Sequence, residues 1–342
     1  MYLITGGSGF FGQVLTKKLL KKKKKVRIFD QINSKIIDPN LEIVIGDIRD
    51  KEKINEIFKG VDIVFHNVAE VPIAKNKNLF WSVNYEGSKN ILDASLTYNI
   101  KHFVYTSSSA VYGVPIKNPI NESSKKYPAE DYGKAKLASE ELCHEFKDKG
   151  LPCSIIRPRT ILGPGRLGIF QILFEWIYLD LNIPVIDNGN NIFQFIHADD
   201  LADVCISASQ KSFSADYNVG AKHYGSMRKN LENLINNVGS KSKIKSVSSS
   251  FAQLSMNLTS YLGLSPLAKY HSLMYGKSMY FDISLAEKNL DFKPQYSNDE
   301  MLFESYKWYK MNRKKIISYT ADGSNHQKAL RQKLLKLVPY LI

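Results

Sequence analysis

The sequence predicts an α/β fold: a doubly wound parallel sheet with a smaller, irregular C-terminal lobe. Two observations carry that expectation. The first is the stretch TGGSGFFG at residues 5–12, which follows the apolar run Tyr2-Leu3-Ile4 and opens into the helical pattern of Val14, Leu15, Leu19 and Leu20. The second is a regular alternation of strand and helix patterns that continues to Arg157-Pro158 and then fades.

Taken in order, a buried strand at Tyr2-Leu3-Ile4 runs through the glycine turn into the first helix. Gly6, Gly9 and Gly12 fall where backbone comes close to a ligand, and the helix N-terminus offers unpaired N–H groups and a favourable dipole, which suits a pyrophosphate. The next strand, Val26 to Phe29, ends in Asp30, about 20 residues past the turn, where a carboxylate accepts from the adenosine ribose 2′-OH and repels a 2′-phosphate. NAD is therefore expected over NADP, with Arg27 and the neighbouring lysines pulling the other way. Strands follow at 42–45, 62–66, 102–106 and 153–156, with helices at 51–58, 79–98 and 131–149 between them. Right-handed crossovers then make the sheet parallel, with helices on both faces. Beyond residue 160, helices near 168–180, 199–209, 226–237 and 297–313 mix with short strands near 193–196, 216–219 and 243–248. The expected division is a Rossmann core over 1–160, whose final strands can come from beyond 160, a substrate lobe over 161–315, and a cleft between them.

The balance of 47 Lys+Arg against 33 Asp+Glu gives a net charge of +14, which raises nucleic acid, acidic substrates and anionic membranes as partners. Much of the excess is lysine at 17, 18 and 21–25, at the end of the first helix, where cations suit the dipole and stay solvated. No helix-turn-helix, zinc-finger or RNA-binding signature occurs, so nucleic acid is not expected. Cys143, Cys153 and Cys205 lack metal-type spacing and fit a reducing cytoplasm. The first strand begins at residue 1 or 2, which predicts no secretory leader. The apolar stretch 168–183 is broken by Gln171, Glu175 and Asp180, so it reads as a core or cleft-lining helix, not a span. In residues 325–342, Leu330, Leu334, Leu337 and Val338 share one helical face while Lys328, Arg331, Lys333 and Lys336 lie largely elsewhere. Such a basic amphipathic helix can dock on its own protein, pair with another subunit, or lie peripherally on an anionic membrane.

Tyr132 and Lys136 are spaced i, i+4 at the start of a predicted helix, so both side chains reach one side. A phenol with an ordinary pKa near ~10 is a poor base at neutral pH, and a fixed ammonium beside it stabilises the phenolate. The pair can take a proton from a secondary alcohol while hydride leaves its carbon. Tyr85/Lys89 and Tyr306/Lys310 share the spacing. Only the Tyr132 helix follows Thr106-Ser107-Ser108-Ser109, at the C-terminal end of a parallel strand, where ligands bind in this fold. A serine hydroxyl there can bond the substrate oxygen and the phenol, or cap the loop.

Together, TGGSGFFG, GDI at 46–48, SSSAVYG at 107–113, YGKAK at 132–136 with Glu140 following, and IIRPRTILGPG at 155–165 resemble the extended short-chain dehydrogenase/reductase family, the NAD-dependent epimerase/dehydratase group. The resemblance runs from residue 1 to about 310. It implies a Rossmann domain, a small substrate domain and tightly held NAD. It implies Tyr132 as base, Lys136 lowering its pKa and holding the nicotinamide ribose, and Ser108 aligning the substrate hydroxyl. By the same likeness Gly6, Gly9, Phe10, Phe11 and Gly12 bind the cofactor, and Asp47 and Ile48 contact adenine. Val68 and Ala69 belong to the strand-end motif His66-Asn67-Val68-Ala69, with Val68 where a small alanine is commoner. Family members usually dimerise through the two long helices, here 79–98 and 131–149.

Departures from the pattern bear on the reaction. Dehydratases of the family carry acidic residues just after the catalytic hydroxyl; Ser109 and Ala110 stand here, against dehydration. Sugar-nucleotide epimerases commonly present an arginine and an aspartate before a segment similar to Phe195-Ile196-His197-Ala198-Asp199-Asp200, the arginine clamping the diphosphate. Phe193 and Gln194 occupy those positions, leaving Ser109, Arg159, Arg166 and Lys277 as candidate substrate contacts. His197, Asp199 and Asp200 are expected to cap a helix and brace the lobe. GNNIFQFIHADDLAD and LSPLAKYHSLMYGKSMYFDISLAEKNLDFKP also resemble the 3β-hydroxysteroid dehydrogenase and sterol-decarboxylase branch, which handles apolar substrates. Three functions stay open: epimerisation or dehydrogenation at a secondary alcohol of a sugar, above all a nucleotide-linked one; oxidation of a hydroxylated lipid or isoprenoid; and a non-enzymatic NAD-responsive regulator. The intact Ser108, Tyr132 and Lys136 argue against the last.

Overall fold

The computed structural model describes residues 1–70, 78–211, 214–250 and 276–318. Six strands of its main sheet come from the first half of the chain: β1 (Tyr2–Thr5), β2 (Val26–Asp30), β3 (Leu41–Ile45), β4 (Ile63–His66), β5 (His102–Thr106) and β6 (Cys153–Pro158). The seventh is Asp216–Val219, which pairs in parallel with β6. The spatial order is β3-β2-β1-β4-β5-β6 and then Asp216–Val219, all parallel. The order reverses between β1 and β4, so the carboxyl ends of these two strands open the crevice where ligands sit in such sheets.

Both faces of the sheet are covered, which is why its central strands are mainly apolar instead of alternating; every residue of β5 is buried, whereas the edge strand β3 is only partly covered. On one face lie α1 (Phe10–Lys21), α6 (Ala198–Ala208) and the helix Ser284–Leu290, meeting through Leu15, Leu19, Leu201, Cys205 and Leu290. On the other lie α2 (Lys51–Ile57), α3 (Ser88–Thr97) and α4 (Asp131–Asp148), with Ile54, Ile91, Leu92, Leu142 and Phe146 in the core. A third core joins α5 (Ile169–Tyr178), α7 (Met227–Val238) and the helix Asn298–Ser318 through Phe174, Leu231, Leu234 and Tyr309.

Two sequence-predicted elements are built differently. The helix expected over 79–98 is π-helical over Phe80–Gly87 and continues as an α-helix from Ser88. The strand expected near 193–196 is two short ones, Ile192–Phe193 and Phe195–His197, which pair with different partners. Between them Gln194 is buried, donating to Ala221 O (2.7 Å) and accepting from Phe281 N (2.9 Å). His197 caps α6 by accepting from Asp199 N (3.1 Å), and Asp200 accepts from Gln295 N (3.1 Å). Cys143, Cys153 and Cys205 are buried and free. Among the described residues no helix is long and apolar enough to cross a membrane. The amphipathic segment 325–342 lies outside the described residues.

One ion pair ties these layers together. Glu140 on α4 is buried, and Arg157 on β6 donates to both its oxygens, at 2.7 and 2.9 Å. Arg157 also pairs with Asp216 on the seventh strand. Opposite charges hold the Arg157 pKa above its ordinary value against the opposing effect of burial. Removing one partner of a buried pair costs about 3–5 kcal/mol because the other charge is stranded. Arg157→Met is therefore expected to lose stability of that order in urea unfolding, whereas a loss under about 1 kcal/mol would fit a surface-type pair.

Candidate functional site

The three motif glycines are required for three different reasons. Gly6 has φ +71°, the left-handed region, and a Cβ there would stand 3.0 Å from Val68 N. Gly12 packs the helix onto the turn: its Cβ would meet Gly6 O at 2.1 Å. At Gly9 a Cβ would meet only Gly6 O, at 3.3 Å, so open space lies above it. Gly9 is also the N-cap of α1 and gives that helix no side-chain cap, leaving the first-turn amides of Phe10 and Phe11 to an incoming acceptor.

At the end of β2 the Asp30 carboxylate accepts from Ser8 N (3.0 Å) and Ile32 N (3.2 Å). Burial raises its pKa, and these bonds oppose the rise. Arg27 belongs to the opposite end of that strand: it pairs with Glu42 (2.8 Å) and donates to the carbonyls of Ile57 and Lys59. Its charge is thus already matched away from Asp30. Asp47 is gripped by Arg49 (2.5 and 2.9 Å), which holds its pKa below the ordinary carboxylate range. Ile48 is buried against Gly87, where a Cβ would come within 2.3 Å of its Cδ1. Val68 lies beside Gly6, and Ala69 follows it, half-buried.

The structure gives the three serines after β5 separate tasks. Ser107 donates to Glu140 (2.6 Å), and Ser109 accepts from Arg159 (2.8 Å). Ser108 alone of the three is not buried; its Oγ accepts from Ala110 N (3.1 Å), capping the single 3-10 turn Ser109–Tyr112. α4 packs on that turn so tightly that a Cβ at Gly133 would stand 2.7 Å from Ala110 O. The packing brings Tyr132, in the first turn of α4, to the serine loop. Glu130 caps the helix there, accepting from Tyr132 N and Gly133 N at 2.8 Å, and Phe80 meets the Tyr132 ring edge-on at 6.2 Å. Lys136 is buried one turn on, its Nζ donating to Thr106 O (2.8 Å) and lying 4.6 Å over the Tyr105 ring. Burial pulls its pKa down to about 7, while Cys143 and Glu140 pull it up.

Sequence reading missed a buried chain of hydrogen bonds behind this site. Ser88 Oγ donates to Asn84 O (2.6 Å), so it accepts from His66 Nε2–H (2.8 Å), and His66 Nδ1 accepts from Thr5 Oγ1 (2.7 Å). Burial drives the His66 pKa down to about 3, consistent with this neutral tautomer. Ser139 of α4 also donates to Asn84 O (2.6 Å). The chain therefore runs from the residue before Gly6 to the helix of Tyr132 and Lys136. Asn84 lies in the π-helical turn, whose altered bonding pattern leaves its carbonyl to side-chain donors. A histidine at a strand end was the available signal.

Of the substrate candidates, Arg159 is enclosed, only 2% exposed, with Phe193 and Phe281 at 4.9 and 5.7 Å from its guanidinium. It braces Ser109 instead of opening to solvent. Lys277 is exposed. Arg166 lies 5.8 Å from the Phe10 ring, at the start of α1. Among the described residues no cluster of His, Cys, Asp and Glu could hold a metal ion.

Residues 2–220 match the NAD dependent epimerase/dehydratase family. The chain belongs to that family. It is therefore an NAD-dependent enzyme of the oxidoreductase type. It is 50% identical over 341 residues to the uncharacterized protein y4nG of Sinorhizobium fredii, covering 99% of this chain and 86% of that one. It is 30% identical over 226 residues to human sterol-4-alpha-carboxylate 3-dehydrogenase, decarboxylating, covering 65% of this chain and 60% of that one. A UDP-glucuronic acid 4-epimerase from Bacillus cereus, solved in complex with NAD, has the same fold: TM-score 0.76 and 21% identity over 91% of this chain and 98% of that one.

Gly12→Ala should open the turn at Gly6, costing about 1–3 kcal/mol by overpacking and weakening NAD in a fluorescence titration; unchanged affinity would show that the turn tolerates the clash. Lys136 supplies a pH test. Its pKa is lowered from 10.5 to about 7 by burial, so between those values the unfolded chain binds the extra proton and stability rises with pH. Relative to Lys136→Met, the cofactor-free protein should gain stability as pH rises above 7; a flat difference would mean that Lys136 titrates normally.

Proposed function

We propose that this enzyme oxidises a secondary alcohol with Tyr132 as base, and that its substrate is a nucleotide-linked sugar epimerised at the oxidised carbon. The observation that carries the reading is the Lys136 ammonium fixed on Thr106 O, one helical turn behind Tyr132 and beside the only unburied serine of the loop. In this arrangement Ser108 Oγ bonds the alcohol oxygen, Tyr132 takes its proton, and the Lys136 charge stabilises the phenolate. NAD, when bound, accepts the hydride. The unclaimed amides above Gly9 suit its pyrophosphate and the Asp30 carboxylate suits its ribose diol. A proton kept on Tyr132 is available for return to the same oxygen, as epimerisation requires.

A second reading is favoured by the likeness to sterol-4-alpha-carboxylate 3-dehydrogenase and by Phe193 and Gln194, which supply no cation to a diphosphate. The same residues would then oxidise a hydroxylated lipid and release reduced cofactor. The names of the sterol enzyme and of the glucuronate epimerase share a chemical feature: each places a carboxylate on the carbon next to the one that reacts.

Tyr132→Phe should keep NAD through gel filtration and lose about 10²–10⁴-fold in kcat; undiminished turnover would remove the proposed base. Near-stoichiometric NAD retained by the wild type supports epimerisation, because no exchange is needed. Readily lost cofactor with sustained NADH production from a sterol alcohol supports the second reading.

A further inference from the structure

A turn from beyond β6 is packed against the cofactor turn, and it carries a cation. Gly163-Pro164-Gly165-Arg166 follows the short strand Thr160–Leu162, and the Arg166 N–H closes it on Gly163 O (3.1 Å). Gly163 (φ +146°) and Gly165 (φ +95°) take backbone angles that favour glycine. Neighbours hold the turn from two sides: a Cβ at Gly163 would stand 3.0 Å from His197 Nε2, and one at Gly165 would touch the Phe10 ring at 3.8 Å. Phe10 is the first residue of α1, and the Arg166 guanidinium lies 5.8 Å from the same ring. Arg159, also enclosed, donates to Ser109 (2.8 Å) and Met279 Sδ (3.3 Å) and has Phe193 and Phe281 as its ring neighbours. Arg166 is the arginine whose ring neighbour belongs to the cofactor turn.

In that position Arg166 Nε and Nη1 are shut off from solvent, and neither has a hydrogen-bond partner among the described residues. Burial lowers its pKa to about 10, so it stays charged at neutral pH. A desolvated cation is unfavourable until an anion meets it. The complementary deficit lies next door. The uncapped first turn of α1 offers a pyrophosphate its amides, but a helix N-terminus supplies only about half an elementary charge, too little for a doubly charged group. The Tyr132 phenol is near enough to act on Arg166 electrostatically, which sets the guanidinium on the side of α1 that leads toward the nicotinamide end of the crevice.

We propose that Arg166 binds the nicotinamide-side phosphate of NAD, completing with a full charge the seat that the α1 amides begin. This moves Arg166 from the substrate to the cofactor, and it rests on the reading above that the nicotinamide lies at Tyr132. The phosphate then bridges α1 and the turn leading into α5.

The test is equilibrium binding of adenosine, AMP, ADP and NAD to protein stripped of cofactor. ADP carries the second phosphate that AMP lacks, so the wild type should bind ADP about tenfold or more tighter than AMP, the lower end of what a charge-assisted hydrogen bond adds. Arg166→Met should remove that step and weaken NAD by a similar factor, while adenosine and AMP bind as before. Its melting temperature without nucleotide should be no lower than that of the wild type, because the variant deletes a buried charge that awaits its partner. Equal affinity of the wild type for AMP and ADP, an ADP preference kept by Arg166→Met, or a loss that already appears with AMP or adenosine would each overturn the assignment. A lower melting temperature without nucleotide would make Arg166 a brace of the turn and overturn it as well. Tyr132→Phe should keep the ADP preference, which separates failure of the proposed base from failure of the phosphate site.

Discussion

Glu140 is the carboxylate on which the architecture of the candidate site depends. It sits on α4 one turn beyond Lys136, accepts from Ser107 in the loop after β5, and takes both bonds of Arg157 from β6. A buried carboxylate is tolerable only with its charge matched and its lone pairs filled, so Glu140 forces helix, loop and strand into one geometry. Ser108 and Lys136 inherit their positions from that geometry. Their placement follows from burial and hydrogen bonding before any ligand is considered.

The same economy of charge distinguishes the substrate side. Phe193 presents no cation, and Arg159, which stacks on it, is spent on holding Ser109. Gln194 is spent on two backbone groups. Arg166, by contrast, keeps two buried nitrogens without a hydrogen-bond partner among the described residues.

The parallel sheet was legible because each of its early strands is a short apolar run next to a helix of amphipathic period, and the glycine turn because its three glycines answer to separate steric demands. The three-way division of Ser107, Ser108 and Ser109 was not legible: adjacent hydroxyls look alike until Glu140 and Arg159 arrive from distant parts of the chain. The π-helical turn escaped for a similar reason. Phe80 to Gly87 has an ordinary helical composition, and what departs from α geometry is the bonding of the Asn84 carbonyl to Ser88 and Ser139. Phe193–Phe195 reads as one strand because both phenylalanines are apolar, whereas the intervening Gln194 turns the chain from one partner to another.

The pairing of Asp216–Val219 with β6 has a consequence for how the protein is made. The sheet's seventh strand and the α6 layer over its first helix lie far along the chain, so the nucleotide half emerges from the ribosome with one edge unpaired and part of one face bare. During synthesis that edge must wait for more than fifty further residues, from Pro158 to Asp216. An unpaired strand beside bare apolar surface is a setting for mispairing between nascent chains. Cutting the gene at the apparent end of the alternating pattern would make that interval permanent.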